Sequence, residues 1–277
     1  MKAKLHFTWN RSFLLPVVVA LSSAIPEKAD AGEETSVTGI PVDAATCEGC
    51  SFVVAGAGGI GMTSLDGATW IPTAVTVTTN WRSHCQGNGI AVGVCHDGFL
   101  LTSSDGTNWS VRDTRVPFAL HRVAHGSERF VAVGNEGALV TSDDGITWTA
   151  RDSGTDERLR GVAYGNSIFV VVGYAGTVLV SRDGTRWRRR PAPTDVRLLD
   201  VAFGNGIFVA VGWHGWIMTS RDGLRWRRIR SGTLSHLGRV AFGEDFILKG
   251  GDPVRRGENR LSGAQLRETQ LFHAQTI

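Results

Sequence analysis

The chain has 277 residues, of which 42% are hydrophobic and 20% charged, and its formal net charge is +3 at pH 7. A protein so close to neutrality is not a general binder of polyanions such as nucleic acid, so any basic character has to be local. The length that remains beyond residues 1–31 suits one all-β domain, a class that reaches about 200–250 residues without splitting.

The N-terminal segment, residues 1–31, has the pattern of a secretory signal peptide. Positive residues come first, an apolar stretch follows at residues 13–25, and Ala29-Asp30-Ala31 offers a small-x-small cleavage site. The apolar stretch is too short for a typical transmembrane helix. The sequence therefore predicts cleavage after Ala31 and an extracytoplasmic mature protein. An uncleaved membrane anchor is the alternative.

One short motif occurs five times at a constant spacing of 39 residues. The copies read SLDGATW from Ser64, SSDGTNW from Ser103, SDDGITW from Ser142, SRDGTRW from Ser181 and SRDGLRW from Ser220. A fixed period of this size indicates one supersecondary unit that is copied and stacked. The motif aspartates are Asp66, Asp105, Asp144, Asp183 and Asp222, and the motif tryptophans are Trp70, Trp109, Trp148, Trp187 and Trp226.

The clearest copy, residues 198–230, encodes four short strands. LLDVAFG and IFVAVG are separated by Asn205-Gly206, a tight hairpin signal, and the strands WIMTS and WRRIRS flank the motif turn. Four short antiparallel strands in one repeat are typical of a propeller blade. The chain is therefore predicted to be an all-β propeller over residues 32–251, with five complete repeats and a partial sixth. Residues 252–277 are predicted to form an irregular tail.

Residues that recur within the repeat are predicted to be structural. The aspartate can accept backbone N–H bonds and hold the motif turn closed, and the tryptophan can bury its ring between neighbouring sheets. Glycines recur in the first hairpin, the second connection and the motif turn, where we expect positive φ angles. Those of the first hairpin are Gly87, Gly126, Gly165, Gly204 and Gly243. The motif turns lack the alternating acidic ligands of a calcium loop, so no metal or cofactor is expected.

The motif S-x-D-G-x-x-W resembles the Asp-box, or bacterial neuraminidase repeat, of sialidase-like β-propellers. The flanking strings VAFGNGIFVAVG and GVAYGNSIFVVVG resemble the repeats of photosystem II assembly-factor-like proteins and their secreted bacterial relatives. The resemblance covers about residues 47–251 and implies the propeller fold. It implies no single activity, because members include glycosidases, assembly factors and adhesive propellers. Such families usually close with six or seven blades, so either residues 35–40 complete the ring or the chain is a truncated copy of a longer propeller.

A sialidase-like glycoside hydrolase is the enzymatic alternative. Such an enzyme needs three arginines on the substrate carboxylate, a tyrosine nucleophile helped by a glutamate, and an acidic acid/base. The chain has only two tyrosines. Tyr164 occupies the repeat position of Phe203, which favours a core role, and Tyr174 lies in a loop without an evident glutamate. No other catalytic set is recognisable, so the prediction is a binding or scaffolding protein.

Four cysteines, Cys47, Cys50, Cys85 and Cys95, lie in the first two repeats. In an exported protein an even number predicts one or two disulfides, and all three pairings remain open. Zinc is disfavoured because Cys47 and Cys50 have no second close pair.

The resemblance places the Asp-box turns on one face of the disc and the second connections on the opposite face. That opposite face is the predicted recognition surface for a protein or a glycan, because its loop residues vary while the scaffold repeats. Its candidate residues are Asn135, Glu136, Tyr174, Trp213 and His214 in the connections, and Arg158, Arg197 and His236 at the entrances to the first strands. Trp213 is predicted to be an exposed indole.

Arginines cluster beside the outer strands of the fourth and fifth repeats. They are Arg182, Arg186, Arg188, Arg189, Arg190, Arg221, Arg225, Arg227, Arg228 and Arg230. One interpretation is protection of an edge strand against aggregation. The other is a docking patch for an anionic surface such as polysaccharide or lipid head groups.

Overall fold

The computed structural model describes residues 52–55, 61–64, 71–72, 81–96, 98–242, 246–250 and 258–261, with side chains for 81–96 and 98–242. These residues form six antiparallel sheets, in agreement with the predicted all-β fold. The part of the chain that the structure describes contains no helix able to span a bilayer. The predicted signal peptide and residues 35–40 lie outside the described residues.

Four sheets have four strands each, connected in chain order. We number the sheets as blades one to six along the chain. Blade two contains β4 (Trp81–Gly87), β5 (Ile90–Cys95), β6 (Leu100–Ser103) and β7 (Ser110–Arg112). Blade three contains β8 (Leu120–Gly126), β9 (Arg129–Gly134), β10 (Leu139–Ser142) and β11 (Thr149–Ala150). Blade four contains β12 (Leu159–Gly165), β13 (Ile168–Gly173), β14 (Val178–Ser181) and β15 (Arg188–Arg189). Blade five contains β16 (Leu198–Gly204), β17 (Ile207–Gly212), β18 (Ile217–Ser220) and β19 (Arg227–Ile229).

The first and sixth sheets each show three strands. Blade one contains β1 (Phe52–Ala55), β2 (Gly61–Ser64) and β3 (Ile71–Pro72), and blade six contains β20 (Leu237–Phe242), β21 (Phe246–Gly250) and β22 (Glu258–Leu261). From the 39-residue spacing, the three strands of blade one correspond to the second, third and fourth strands of a complete blade. Those of blade six correspond to the first, second and third. Strand β22 lies in the segment predicted to be irregular, and it pairs with the otherwise open edge of β21.

The predicted hairpin of the fifth repeat has the expected geometry. Strands β16 and β17 pair antiparallel, and Asn205 and Gly206 between them have φ angles of 47° and 74°. Positive φ at both central residues is what a two-residue type I′ turn requires, and the asparagine–glycine pair supplies it. A short 3-10 turn, Trp213–Gly215, then connects β17 to β18.

The motif turn is closed by its own side chains. In blade three the Ser142 hydroxyl donates to Asp144 Oδ1 at 2.8 Å, and the same oxygen accepts the backbone N–H groups of Ile146 and Thr147. Trp148 Nε1 donates to the Gly145 carbonyl at 3.0 Å. Blades two, four and five repeat these bonds, in which Asp105, Asp183 and Asp222 accept as Asp144 does. The first copy, with Asp66 and Trp70, lies outside the described residues.

The motif tryptophans contribute to the packing between blades. Trp148 of blade three belongs to the same buried cluster as Val92 and Val94 of blade two. Trp226 of blade five is buried with Val170 of blade four. Trp187 is half-buried and Trp109 is buried within blade two. Trp148 and Trp226 thus each pack against residues of the preceding blade.

The glycines of the first hairpin were predicted to have positive φ angles, and this prediction is wrong. Gly87, Gly126, Gly165 and Gly204 are not among the residues with positive φ. A Cβ on Gly126 would instead lie 2.0 Å from the ring of Tyr164 on the next blade, and the other three glycines face His125, Phe203 and Phe242 in the same way. Glycine is required because a ring of the following blade occupies the space of its side chain. His125 and Tyr164, both half-buried, therefore lie in the packing between neighbouring blades.

Candidate functional site

The loop face opposite the motif turns is held together by backbone hydrogen bonds at equivalent positions. The Tyr174 N–H donates to the Arg158 carbonyl at 2.9 Å, and the Trp213 N–H donates to the Arg197 carbonyl at 3.0 Å. Each bond ties a second connection to the entrance of the first strand in the same blade. The face is therefore a fixed arrangement in which connection and entrance side chains lie side by side.

The connections also hold unusual backbone conformations. Glu136, Ala175 and His214 occupy one repeat position, and their φ angles are 51°, 50° and 56°. Left-handed φ is sparsely populated for residues with a Cβ, and such strain is retained where the surrounding structure over-determines it, often at functional sites.

Five of the eight predicted site residues form one continuous series of ring contacts, and a sixth, His214, lies edge-on to the rings of Trp213 and His236. The guanidinium carbon Cζ of Arg158 lies 5.9 Å from the ring centroid of Tyr174, and Cζ of Arg197 lies 4.7 Å from the same centroid. Arg197 Cζ is also 4.2 Å from the centroid of Trp213. Trp213 in turn stacks on His236, with ring centroids 4.6 Å apart and an angle of 8° between the planes. We call this series, which crosses blades four to six, the aromatic–arginine series.

The expected exposure of Trp213 is corrected by these contacts. The indole is half-buried, because Arg197 lies over its ring and His236 stacks on it. His214 is exposed, and its backbone N–H donates to His236 Nδ1 at 3.1 Å. This bond fixes the orientation of the imidazole against the indole. Trp213 is therefore part of an ordered stack and not an isolated exposed ring.

Asn135 and Glu136 are not part of the aromatic–arginine series. Asn135 Oδ1 lies 2.7 Å from Nε2 of His121, on the first strand of blade three. Arg160 Nη1 lies 3.3 Å and 3.2 Å from the two ring nitrogens of the same histidine. Glu136 is exposed. Asn135 therefore belongs to a second group of side chains, around the axis that the first strands surround.

Burial gives this second group unusual electrostatics. The pKa of His121 is lowered to about 3. Burial is the largest cause, the positive charge of Arg160 acts in the same direction, and the hydrogen bond to Asn135 opposes both. The neutral ring holds its single proton on Nε2, because the bonded Asn135 atom is an acceptor. Burial also lowers the pKa of Arg160, and the nearby charges of Arg122 and Arg158 act in the same direction.

Deeper along the axis, an ion pair connects non-neighbouring blades. Arg122 on β8 of blade three donates from Nε and Nη2 to the carboxylate of Asp200 on β16 of blade five. The same carboxylate accepts the backbone N–H of Val201 and that of Val240 on blade six. These residues and His121 and Arg160 were missed by sequence reasoning. The sequence feature that could have revealed them is the presence of charged residues within strands that are otherwise apolar.

Of the ten arginines of blades four and five, four lie in the outermost strands and the others lie beside these strands or in the motif turns. Nine of the ten are exposed and Arg190 is half-buried. Arg188 and Arg189 form β15 and Arg227 and Arg228 lie in β19, so both groups occupy the outermost strand of a sheet. Protection of these edges and docking of an anionic surface both stay predictions.

Neither a disulfide nor a metal site is seen among the described residues. No bond joins Cys85 to Cys95. They lie on adjacent strands out of register, because Cys85 pairs with Val92. The disulfide pairings of the four cysteines stay predictions. Burial raises the pKa of the Cys85 thiol. Cys47 and Cys50 lie outside the described residues. Within the described ranges, no three His, Cys, Asp or Glu side chains are placed to hold a metal ion.

No known protein-family profile matches the chain, and no curated protein is similar to it in sequence. Solved structures are similar in fold. A propeller described as YCF48 bound to D1 peptide is 19% identical, with a TM-score of 0.57 over 76% of this chain and 74% of that chain. The computationally designed Ika8 protein is 14% identical, with a TM-score of 0.58 over 73% of this chain and 65% of its own. The chain is thus similar in fold to the YCF48 propeller, and at these identities the likeness shows the propeller fold alone.

Proposed function

We propose that this protein binds a partner protein, through a peptide segment, at the loop face of blades four to six and that it does not act as an enzyme. The observation that carries the proposal is the aromatic–arginine series. Stacked rings and guanidinium groups offer flat apolar area and charge-assisted donors on one surface. Tryptophan, tyrosine and arginine are the residue types that dominate binding energy at protein interfaces.

Two further observations support the proposal. The series is pre-organised by the stack of Trp213 on His236 and by the backbone bonds of the connections, so its side chains lose little further freedom on binding. The similar YCF48 propeller is described as bound to the D1 peptide. A peptide is therefore the favoured class of partner, and a glycan is the alternative.

Selection of peptides on the purified protein tests the proposal. A random dodecapeptide display library is selected on the wild-type chain, and the affinity of each enriched peptide is measured in solution. Replacing Arg197 and Trp213 together by alanine should weaken binding at least tenfold, because it removes the centre of the series. A cooperative melt of the variant is checked separately.

The matched control removes two arginines from the rim. Arg189→Ala combined with Arg227→Ala changes two exposed side chains on β15 and β19. We expect unchanged peptide affinity. Loss of binding in the rim variant with normal binding in the loop variant would place the site on the arginine rim and contradict the proposal. Enrichment of no peptide, together with binding to a glycan array, would favour the glycan alternative.

We also propose that the chain is an exported member of the Asp-box, sialidase-like group. The signal-peptide pattern and the hydrogen bonds within the motif turns support this. Mass spectrometry of the protein expressed with its own N-terminus in a bacterial host should find Gly32 as the first residue. A protein that keeps Met1 and stays in the cytosol would contradict export.

The glycoside hydrolase remains the second candidate because Arg158 and Arg197 both lie beside Tyr174. Both guanidinium groups lie over the tyrosine ring, which is the geometry of a cation–π contact. Hydrolysis of a panel of fluorogenic sialosides and glycosides by the wild-type protein, lost in Tyr174→Phe, would favour the enzyme over the binding protein.

A further inference from the structure

The first strands of blades two to six carry four arginines and one aspartate. They are Arg82, Arg122, Arg160, Arg239 and Asp200, at two adjacent repeat positions. These strands contact one another in sequence around the axis, and side chains reach across it. Arg122 of blade three meets Asp200 of blade five, and Arg239 of blade six donates to the Arg82 carbonyl of blade two at 3.2 Å. Positive charge therefore exceeds negative charge around the axis on these described strands.

The acceptor positions of the single aspartate, Asp200, are already in use. Its two oxygens accept from Arg122, Val201 and Val240, and the residue is 1% exposed. An ionised carboxylate offers about four acceptor positions, so little capacity remains for another guanidinium.

Arg160 lacks a comparable partner. Its Nη1 atom is almost equally far from the two ring nitrogens of His121, at 3.3 Å and 3.2 Å. An atom equidistant from both nitrogens at this range lies above the ring and not along either lone pair, which is a weaker contact than an in-plane hydrogen bond. Arg160 Nε is buried and has no hydrogen-bond acceptor in the described part of the chain. A buried donor left in this state destabilises the protein, and a bound anion would remove the penalty.

We propose that one small oxyanion, a carboxylate or phosphate group, binds at the axis of the loop face against Arg160. Arg158 lies two residues before Arg160 at the same face and is exposed, so it can donate to the anion from the solvent side. His121, which donates from Nε2 to Asn135, forms the wall beneath the Arg160 guanidinium. The ligand supplies the acceptor that Arg160 Nε lacks and offsets the repulsion among the arginines. The site does not depend on the proposed peptide partner, because a free anion can fill it.

Titration with simple anions tests the site. Sodium phosphate and sodium acetate are added separately to the full-length protein, with ionic strength held constant by sodium chloride, and binding is measured by calorimetry and by the imidazole nitrogen signals of His121. The wild type should bind at least one of the two anions saturably and shift the His121 signals. Arg160→Gln should weaken that binding at least tenfold. Arg189→Gln on the rim removes the same charge and should bind like the wild type.

The melting temperature provides a second test, because the difference between the wild type and Arg160→Gln should change sign when the anion is added. In chloride alone, Arg160→Gln should melt at or above the wild-type temperature, because the arginine has no anionic partner there. In saturating phosphate or acetate the wild type should become the more stable protein. Binding of phosphate only, or of acetate only, identifies the class of oxyanion. Absence of saturable binding, equal affinity in Arg160→Gln, or a lower melting temperature of Arg160→Gln in chloride would overturn the proposal.

Discussion

Arg122 and Asp200 form a buried ion pair between blades three and five, which are separated by a whole blade. The Arg122 side chain is 10% exposed and that of Asp200 1%, and the carboxylate also accepts the Val240 N–H of blade six. One aspartate thus joins three blades across the axis. Contacts between adjacent blades stabilise only neighbours in a repeat protein, whereas this pair couples two blades that have another blade between them.

Breaking this pair should destabilise the fold strongly. Arg122→Met and Asp200→Asn should each lower the free energy of unfolding by about 3–5 kcal/mol, because each leaves a buried partner unpaired. The double variant should cost less than the sum of the two, as expected for residues in direct contact. Denaturant melts of the four proteins give the coupling energy, and additive costs would show that the pair does not act as a unit.

Replacing the motif tryptophan should destabilise the fold more than replacing the motif aspartate. Trp148→Ala removes a buried ring between two blades and should cost about 3–5 kcal/mol. Asp144→Ala should cost about 1 kcal/mol, because water can partly replace hydrogen bonds at an exposed carboxylate. Thermal melts measure both. Equal melting of both variants and the wild type would mean that the motif is not needed for stability.

Acid should weaken the motif turns. Burial acts to raise the pKa of Asp144, but the N–H groups of Thr147 and Ile146 and the Ser142 hydroxyl outweigh it and lower the pKa to about 2 from the usual 3.8. A carboxyl whose pKa is lowered by folding contributes stability above its unfolded pKa, and this contribution disappears as the pH falls through the folded value. The melting temperature should therefore drop between about pH 4 and pH 2. Asp144→Asn, which does not titrate, should show a smaller drop than the wild type.

Gly126 should not tolerate a methyl group while Tyr164 is present. Gly126→Ala places the new carbon 2.0 Å from the Tyr164 ring, so the two blades must separate or the ring must move. We expect a loss of about 1–3 kcal/mol. Tyr164→Ala provides the matched test, because it vacates the space. In that background the alanine at position 126 should cost much less, and an unchanged cost would contradict the steric explanation.

The repeat architecture was predictable because its signals are local. Constant spacing, the Asn205-Gly206 turn and the alternation of apolar residues each act within a few residues of one another. The bonds of Asp144 also stay within its own turn. The reason for Gly126 was not predictable in this way, because the ring that demands a glycine belongs to the following blade.

The candidate site was predicted in part. Repeat alignment brought Arg158, Arg197 and His236 to one position, and the structure brings all three into the aromatic–arginine series. The covering of Trp213 depends on side-chain conformations that no sequence pattern specifies. The pair of Arg122 and Asp200 was missed because its members are 78 residues apart and lie in strands that are not paired.

The contact of each hairpin glycine with a ring of the next blade gives the propeller a direction. Each of blades two to five contributes the glycine to its contact with the following blade. Each of blades three to six contributes the ring to its contact with the preceding blade. Such a contact is head-to-tail, so it cannot be satisfied by two copies of the same surface. Loss of residues 159–197, one complete 39-residue period, would bring Gly126 against Phe203 and recreate the contact. Loss of a few residues more or fewer would not, so this fold changes its length in whole repeats.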